Sequence, residues 1–359
     1  MAGSWSRHNF VGVPEISTLS LHLPATPNEI YAQIQSVSVA SADKNLLVLS
    51  TGPQFDRYSS SGRYLVYDTA TDVHFLVPPI DLFRFREIFG CRPVIVRRGD
   101  GCSEFILAQV LLSNDTTTRH YYVAMWSPFA SEGEVQEWGK LQDWVYKEAC
   151  LPDDVVVKYP FMTDVVFAFQ SRWACWVDLN FGMVTCDLLS PDLQLYSKLL
   201  PDNCVMSLNS KARGRPDIYS TMSCVEGEIR FLYMEGYADK KCPRKEVTIS
   251  TWTLRGQVPA VWLPQRLPIC PVLSPVEPHL VYFFLSDIDC VDGCIMTKGE
   301  HVLGLNLQTK QVQSWSKCPP GRSLQLFPYF IATDLCCHQK SSNLEDQGNV
   351  TQRKRHKQN

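Results

Sequence analysis

The side chains best suited to hold a metal ion are Cys290 with Cys294, and the trio Cys336, Cys337 and His338. Structural zinc sites are built from thiolates and imidazoles at short, fixed spacing, most often from Cys-x-x-Cys pairs. None of the 14 cysteines forms such a pair, so no metal site is expected. Cys337 beside His338 pairs a thiol with a base in sequence, but adjacency alone does not supply the geometry that makes a thiolate nucleophile. Gly99-Asp100-Gly101 has two glycines of a phosphate-binding loop, yet Asp100 would repel an anion, so it reads as a hairpin turn. The acid pairs Asp153 with Asp154 and Asp287 with Asp289 have the functional groups for proton transfer. Nothing in the sequence places either in a closed pocket, and solvated loops account for them. Gly-x-Ser-x-Gly, His-Glu-x-x-His and Walker lysine motifs do not occur. No residue therefore receives a catalytic, cofactor-binding or metal-binding role, and no cofactor is expected.

What must position any surface site is a succession of short strands. Runs rich in β-branched and aromatic residues recur between turn-forming clusters, and helical periodicity is scarce. One cycle reads 45–50, 63–69, 73–78 and 93–97, and the next 105–112, 120–126, 135–141 and 155–161. A third reads 165–170, 172–179, 183–189 and 194–200, and a fourth 219–225, 228–234, 247–254 and 258–264. The fifth is 280–285, 301–307, 311–317 and 324–331. First strands thus recur every 55–60 residues or so, roughly the period of a repeat architecture. Tyr67-Asp68-Thr69-Ala70-Thr71 before Pro78-Pro79 and Leu305-Asn306-Leu307-Gln308-Thr309 before Pro319-Pro320 repeat one design: a strand ends in Asp or Asn, a polar turn reverses it, and proline ends the next strand.

Sheets that bury both faces against neighbours around an axis satisfy this pattern, so the expected fold is all-β: a propeller-like ring of about five to six four-stranded blades. The kelch double glycine and the WD40 Trp-Asp pair are absent. The runs 16–23 and 34–40 are extra strands that complete a sixth sheet or close the ring. The domain reading is therefore 1–44 N-terminal strands, 45–335 the ring, and 336–359 a disordered polar and basic tail. The loop 81–90 and the segment 143–154 are the places best suited to a short helix or helical turn.

Composition narrows the partners. A chain of 359 residues with 45% apolar content buries a large core, and a net charge of −3 gives no bulk attraction to nucleic acid or anionic lipid. The first ten residues lack the apolar stretch of a signal peptide, and no apolar run is long enough to span a bilayer. Cys175, Cys186 and Cys224 lie inside apolar runs, as buried free thiols do in reducing compartments. The expected setting is cytoplasmic or nuclear, where the sequons at Asn114 and Asn349 carry no sugar. Arg353-Lys354-Arg355-His356-Lys357 has the composition of a nuclear-import signal or of a merely solvated terminus. Trp126, Trp138, Trp173, Trp176, Trp252 and Trp315 read mainly as packing between blades, with a binding anchor as the rival role for any one of them.

Several of these segments carry a family resemblance. Tyr64-Leu-Val-Tyr-Asp68 with Pro78-Pro79, Trp176-Val-Asp-Leu179 followed by Gly182 and Cys186-Asp187, and Val281-Tyr-Phe-Phe284 leading to His301-Val-Leu-Gly-Leu305 resemble the plant family known as domain of unknown function 1618, as do Gly227-Glu-Ile-Arg-Phe231 and Ser250-Thr-Trp-Thr-Leu254. The resemblance runs from about Leu46 to Ile331. It implies a plant protein, expanded in grasses, with a propeller-like domain similar to those that follow F-boxes, and it transfers no site residue. A non-catalytic protein-interaction module is the leading expectation, its partner another protein rather than nucleic acid or membrane. A substrate receptor pairing with a separate F-box subunit and a hydrolase working at the central channel are the rivals.

Overall fold

The computed structural model describes residues 6–9, 18–21, 37–50, 64–81, 84–87, 92–98, 104–114, 120–128, 143–150, 161–201, 215–235, 246–253, 256–264, 268–291 and 294–318. A small hairpin comes first, β1 (Ser6–Asn9) against β2 (Thr18–Leu21). The first sheet holds β3 (Ser38–Asp43), β4 (Leu46–Ser50), β5 (Tyr64–Asp68) and β6 (Val73–Val77), paired in chain order. The second comprises β7 (Phe85–Glu87), β8 (Val94–Arg97), β9 (Phe105–Ser113), β10 (Tyr121–Trp126) and β11 (Val145–Ala149). Here β7 and β8 share one position, pairing with the two ends of the long β9.

The third sheet is β12 (Val165–Phe169), β13 (Trp173–Asp178), β14 (Gly182–Asp187) and β15 (Leu195–Leu199). A 3-10 turn at Pro216–Ile218 leads into the fourth, β16 (Ser220–Val225), β17 (Glu228–Glu235), β18 (Glu246–Thr253) and β19 (Gly256–Pro264). The fifth is β20 (Pro268–Leu273), β21 (Leu280–Val291), β22 (Cys294–Asn306) and β23 (Gln311–Lys317). All pairings between these strands are antiparallel.

The innermost strands β3, β8, β12, β16 and β20 neighbour one another in succession, so the sheets radiate from a common centre. That is a β-propeller-like arrangement, as the periodicity implied. Strand alternation makes the packing possible, because successive residues serve opposite faces. In β4, Leu46 and Val48 join the core shared with the second sheet, alongside Tyr64, Phe105 and Trp126. In β13, Ala174 and Trp176 pack toward the second sheet, while Cys175 and Val177 pack toward the fourth with Met222 and Phe231. Val225, Leu232 and Met234 then meet Val281, Phe283 and Leu305 between the fourth and fifth sheets. Each large apolar side chain so buried contributes about 1.5–3 kcal/mol. Arginines bridge the same seams: Arg92 donates to the Asp164 carbonyl between the second and third sheets, and Arg230 to the Pro278 carbonyl between the fourth and fifth.

The strand cycles of the third and fourth sheets coincide with those read from sequence. In the first, second and fifth the expected cycle is displaced by one strand. Residues 34–40, set apart as an extra N-terminal strand, overlap β3, which is the innermost strand of the first sheet. Residues 93–97, assigned as the fourth strand of the first cycle, form β8 and open the second sheet. The fifth sheet begins at β20, not at Leu280. Neither expected helix is present among the described residues: 81–90 contains β7, and 143–154 contains β11, the outermost strand of its sheet. The expected strand 135–141, residues 155–160, the strand 324–331 and the tail from 336 lie outside the described residues. Among the described residues, no helix is long and apolar enough to cross a membrane.

Candidate interaction surface

Most of the polar chemistry that the described residues gather is spent on holding turns. Asp68 ends β5, buried, and accepts hydrogen bonds from the Ala70 amide at 3.0 Å, the Thr71 hydroxyl at 2.9 Å and the Asn45 side-chain amide. Asn306 ends β22 in the equivalent place and accepts the amides of Gln308 and Thr309. Both turns close through a residue at positive φ, Asp72 at 57° and Lys310 at 59°. The matching sequence segments therefore form matching turns. Asp187 ends β14, accepts the Leu189 amide, and takes a two-point ion pair from Arg172. That guanidinium holds its carboxyl below the usual carboxylate range. In each of the three sheets, the residue after the Asx donates its amide to a carbonyl in the first hairpin: Thr69 to Asn45, Leu188 to Arg172 and Leu307 to His279. Asp178 and Asp164 likewise cap neighbouring amides, of Asn180 and Met162 and of Leu179.

A second polar group lies where the innermost strands end. The Arg97 amide donates to the Asp43 carboxylate at 2.9 Å, and its guanidinium donates to the Asn45 side-chain oxygen. Burial pushes the Asp43 carboxyl above its ordinary range, against the Arg97 amide that lowers it. These bonds join the first sheet to the second.

Three buried thiols are inert by environment. Cys175, Cys186 and Cys270 are buried and unbridged. Desolvation pushes Cys186 and Cys270 up to about 12 and Cys175 up as well, so none is a thiolate near neutrality. Cys290 pairs with Ile295, while Cys294 pairs with Val291, so the two cysteines occupy consecutive register positions, which belong to opposite faces of the ribbon. Asp287 and Asp289 sit on the same ribbon, opposite Gly299 and Met296. Among the described residues no three His, Cys, Asp or Glu side chains gather as a metal site. Cys336, Cys337, His338, Gly99-Asp100-Gly101, Asp153 with Asp154, and the basic run 353–357 lie outside the described residues.

The outer rim has a different character. Among the described residues, nine large apolar side chains are exposed, and six of them belong to outermost strands: Val73, Val145, Tyr196, Leu199, Val312 and Trp315. Each of these strands is the last of its sheet in the pairings among the described residues, and the start of β15 is tied to the end of β11, where the Leu195 amide donates to the Cys150 carbonyl at 2.9 Å. Trp315, on β23, is 59% exposed. Its ring stacks on His301 of β22, centroids 4.6 Å apart at 15°, and the pair presents a flat aromatic platform. On the third sheet, Trp173 meets the exposed Tyr196 edge to face at 5.8 Å. The other described tryptophans differ. Trp126 and Trp176 are core, and Trp144, which the sequence reading passed over, is buried with its indole N–H donating to the Pro78 carbonyl at 2.7 Å. Trp252 is placed by its backbone alone, opposite Phe231, and Trp138 lies outside the described residues.

Beyond its four-stranded part, the fifth sheet continues as a two-stranded ribbon from Ser286 opposite Glu300 to Val291 opposite Cys294. At about 3.4 Å per residue it projects roughly 20 Å past the sheet. The sequence between the two strands is Asp292-Gly293, a dipeptide suited to tight hairpin turns, and it lies outside the described residues. His301 stands at its base, directly after Glu300.

Fold and surface together define a β-propeller-like protein with an apolar, strand-edged rim. Residues 176–282 match the family described as a protein of unknown function, DUF1618. The matched stretch runs from β13 into β21, and it is the family whose motifs the sequence resembles. No curated protein matches the chain. Among solved structures, one from a study of two prolyl endopeptidases is 10% identical with a TM-score of 0.35, and the alignment covers 87% of this chain and 46% of that one. This chain thus spans less than half of that protein. The WD40 domain of SCAP from fission yeast is also 10% identical, with a TM-score of 0.29, covering 84% of this chain and 91% of that one. Similarities this slight bear on neither activity nor partner, and the architecture stands on the sheets themselves.

Proposed function

We propose that this chain is a non-catalytic protein-interaction module of the cytosol or nucleus, which engages another protein through its outer rim with Trp315 as the leading contact. The supporting observation is Trp315 itself: an aromatic side chain of the type that dominates protein contacts, more than half exposed, stacked on His301 and carried by the edge strand of its sheet among the described residues. An incoming extended segment pairs with such an edge through its backbone while its side chains meet the aromatic platform. A stable complex buries about 1,200–2,000 Å² in total, more than one strand supplies, so the ribbon at the base of His301 falls within the same footprint. The non-catalytic part of the reading rests on how carboxylates and thiols are used. Asp68, Asp164, Asp178 and Asp187 are committed to turn amides, and the buried thiols are raised out of reach of neutral pH.

Crosslinked affinity purification of the wild-type chain beside Trp315→Ala tests this. The expected result is one or more protein species recovered with the wild type and depleted at least about tenfold with the variant, at unchanged circular dichroism. Equal recovery by both chains overturns the role of Trp315. Repeated recovery of no protein at low salt, with crosslinking, overturns the interaction reading.

A further inference from the structure

The chain holds three Ser-Pro dipeptides, at Ser127, Ser190 and Ser274, and one Thr-Pro, at Thr26. A proline directly after the hydroxyl residue is what proline-directed protein kinases select. The structure separates the four. Thr26 lies outside the described residues. Ser274 is buried, and its oxygen accepts the amides of Val276 and Glu277 at 3.4 and 3.1 Å, so it is committed to its loop. Ser127 directly follows the core residue Trp126. Ser190 differs. With Pro191 and Asp192 it forms the tip of the turn from β14 to β15, between the buried anchors Leu188 and Leu193. Its hydroxyl donates an exposed hydrogen bond to the Asp192 carbonyl at 2.8 Å.

The groups around that hydroxyl are arranged for a change of partner. The Asp187 carboxylate accepts the Leu189 amide at 3.1 Å and takes the two-point ion pair from Arg172, while the Ser190 amide donates to the Asp187 carbonyl at 3.2 Å. The arginine side chain is 46% exposed against 13% for the aspartate, so the guanidinium is the partner able to turn. A phosphate on Ser190 brings a charge of about −1.5 to −2 and three acceptor oxygens, which repel a carboxylate and compete with it for a guanidinium. It also removes the donor that the Asp192 carbonyl receives. We propose that Ser190 is a phosphorylation site for a proline-directed serine kinase, and that its phosphate draws Arg172 away from Asp187 and opens this clasp of the third sheet. In the transfer the Ser190 oxygen attacks the γ-phosphorus of magnesium-bound ATP and the bond to the β-phosphate oxygen breaks. ADP leaves, and the hydroxyl proton passes to the catalytic carboxylate of the kinase.

Incubating the full chain, beside Ser190→Ala, with magnesium-ATP and either a cyclin-dependent or a mitogen-activated kinase tests the site by peptide mass mapping. At least about tenfold more phosphate is expected at Ser190 than at the buried Ser274, which only unfolding exposes. No phosphate on Ser190 with either kinase overturns the site, as does modification of a synthetic peptide of residues 184–197 but not of the folded chain. Capture by Arg172 is read from a phosphorus NMR titration of the modified protein. The second ionisation of the phosphate, ordinarily near 6, is expected to fall lower by about half a unit or more in the wild type than in Arg172→Gln or in the phosphorylated peptide. Equal midpoints in the wild-type chain and either comparison overturn the exchange of partners.

Discussion

Asn45 and Asp68 meet across two hairpins: the Asn45 side-chain amide donates to the buried Asp68 carboxylate, and the Asn45 carbonyl accepts the amide of Thr69 at 2.9 Å. One residue from the first turn of a sheet and one from the end of its third strand thereby hold both hairpins at a common end. Replacing either leaves buried polar groups unmatched, which costs about 1–3 kcal/mol. Asp68→Ala is expected to fall in that range by urea unfolding. Asn45→Ala is expected to be milder, because its main-chain carbonyl bond to Thr69 survives.

Arg172 and Asp187 make the corresponding tie in the third sheet, and its pH dependence follows from the depressed Asp187 carboxyl. A carboxyl held lower in the folded state than in the unfolded one adds stability above its unfolded value near 4, and that increment is lost as pH falls through the folded value. Arg172→Gln removes the largest cause of the depression. The variant is expected to be less stable than wild type at pH 6–8, with the gap closing as pH falls below about 4. Urea unfolding across that range checks it. A gap that stays constant to pH 2 contradicts the ion pair as its source.

Two glycines test close packing at different severity. A Cβ at Gly182 would collide with the carbonyl oxygen of Lys198 and crowd the Leu199 Cα, both backbone atoms. At Gly304 it would meet the Ser314 hydroxyl, which can rotate aside. Gly182→Ala is expected to destabilise by about 1–3 kcal/mol, and Gly304→Ala by clearly less. Thermal melts of the two variants decide the order.

Site-resolved thiol labelling at pH 7.5 is expected to modify Cys150, which is exposed, within minutes. Cys175, Cys186 and Cys270 are expected to label only on unfolding, because burial both hides them and keeps them protonated. Rapid labelling of any of the three in the folded protein contradicts the packing described.

Where turns carry strong local chemistry, sequence and structure agree strand by strand. Glu226-Gly227 is a two-residue loop with both φ positive, 51° and 73°, and it places β16 and β17 in the expected register. The phase slips where the innermost strand is inconspicuous. In β3, Ser-Val-Ala-Ser-Ala-Asp is weakly apolar, and its turn at Lys44-Asn45 contains neither glycine nor proline. In β20, Pro268 and Pro271 read as breakers. They are tolerated because this strand pairs on one side only, and a register shift between Ile269 and Val272 takes up Pro271. For β11, Val-Tyr-Lys-Glu-Ala fits helix or strand equally, and pairing with β10 decides it. The rim was less legible than the sheets. The residue types named Trp315 as a candidate contact, but its exposure depends on β23 being outermost, and that is a property of the assembled sheet.

The clasps formed by Asn45 with Asp68, Arg172 with Asp187, and Leu307 with His279 all gather the first and third turns of their sheets. The connections between second and third strands range from the two residues 292–293 in the fifth sheet to the thirteen residues 51–63 in the first. Sequence grafted between β21 and β22 would be carried clear of the four-stranded sheet by the paired ribbon that ends at Val291 and Cys294.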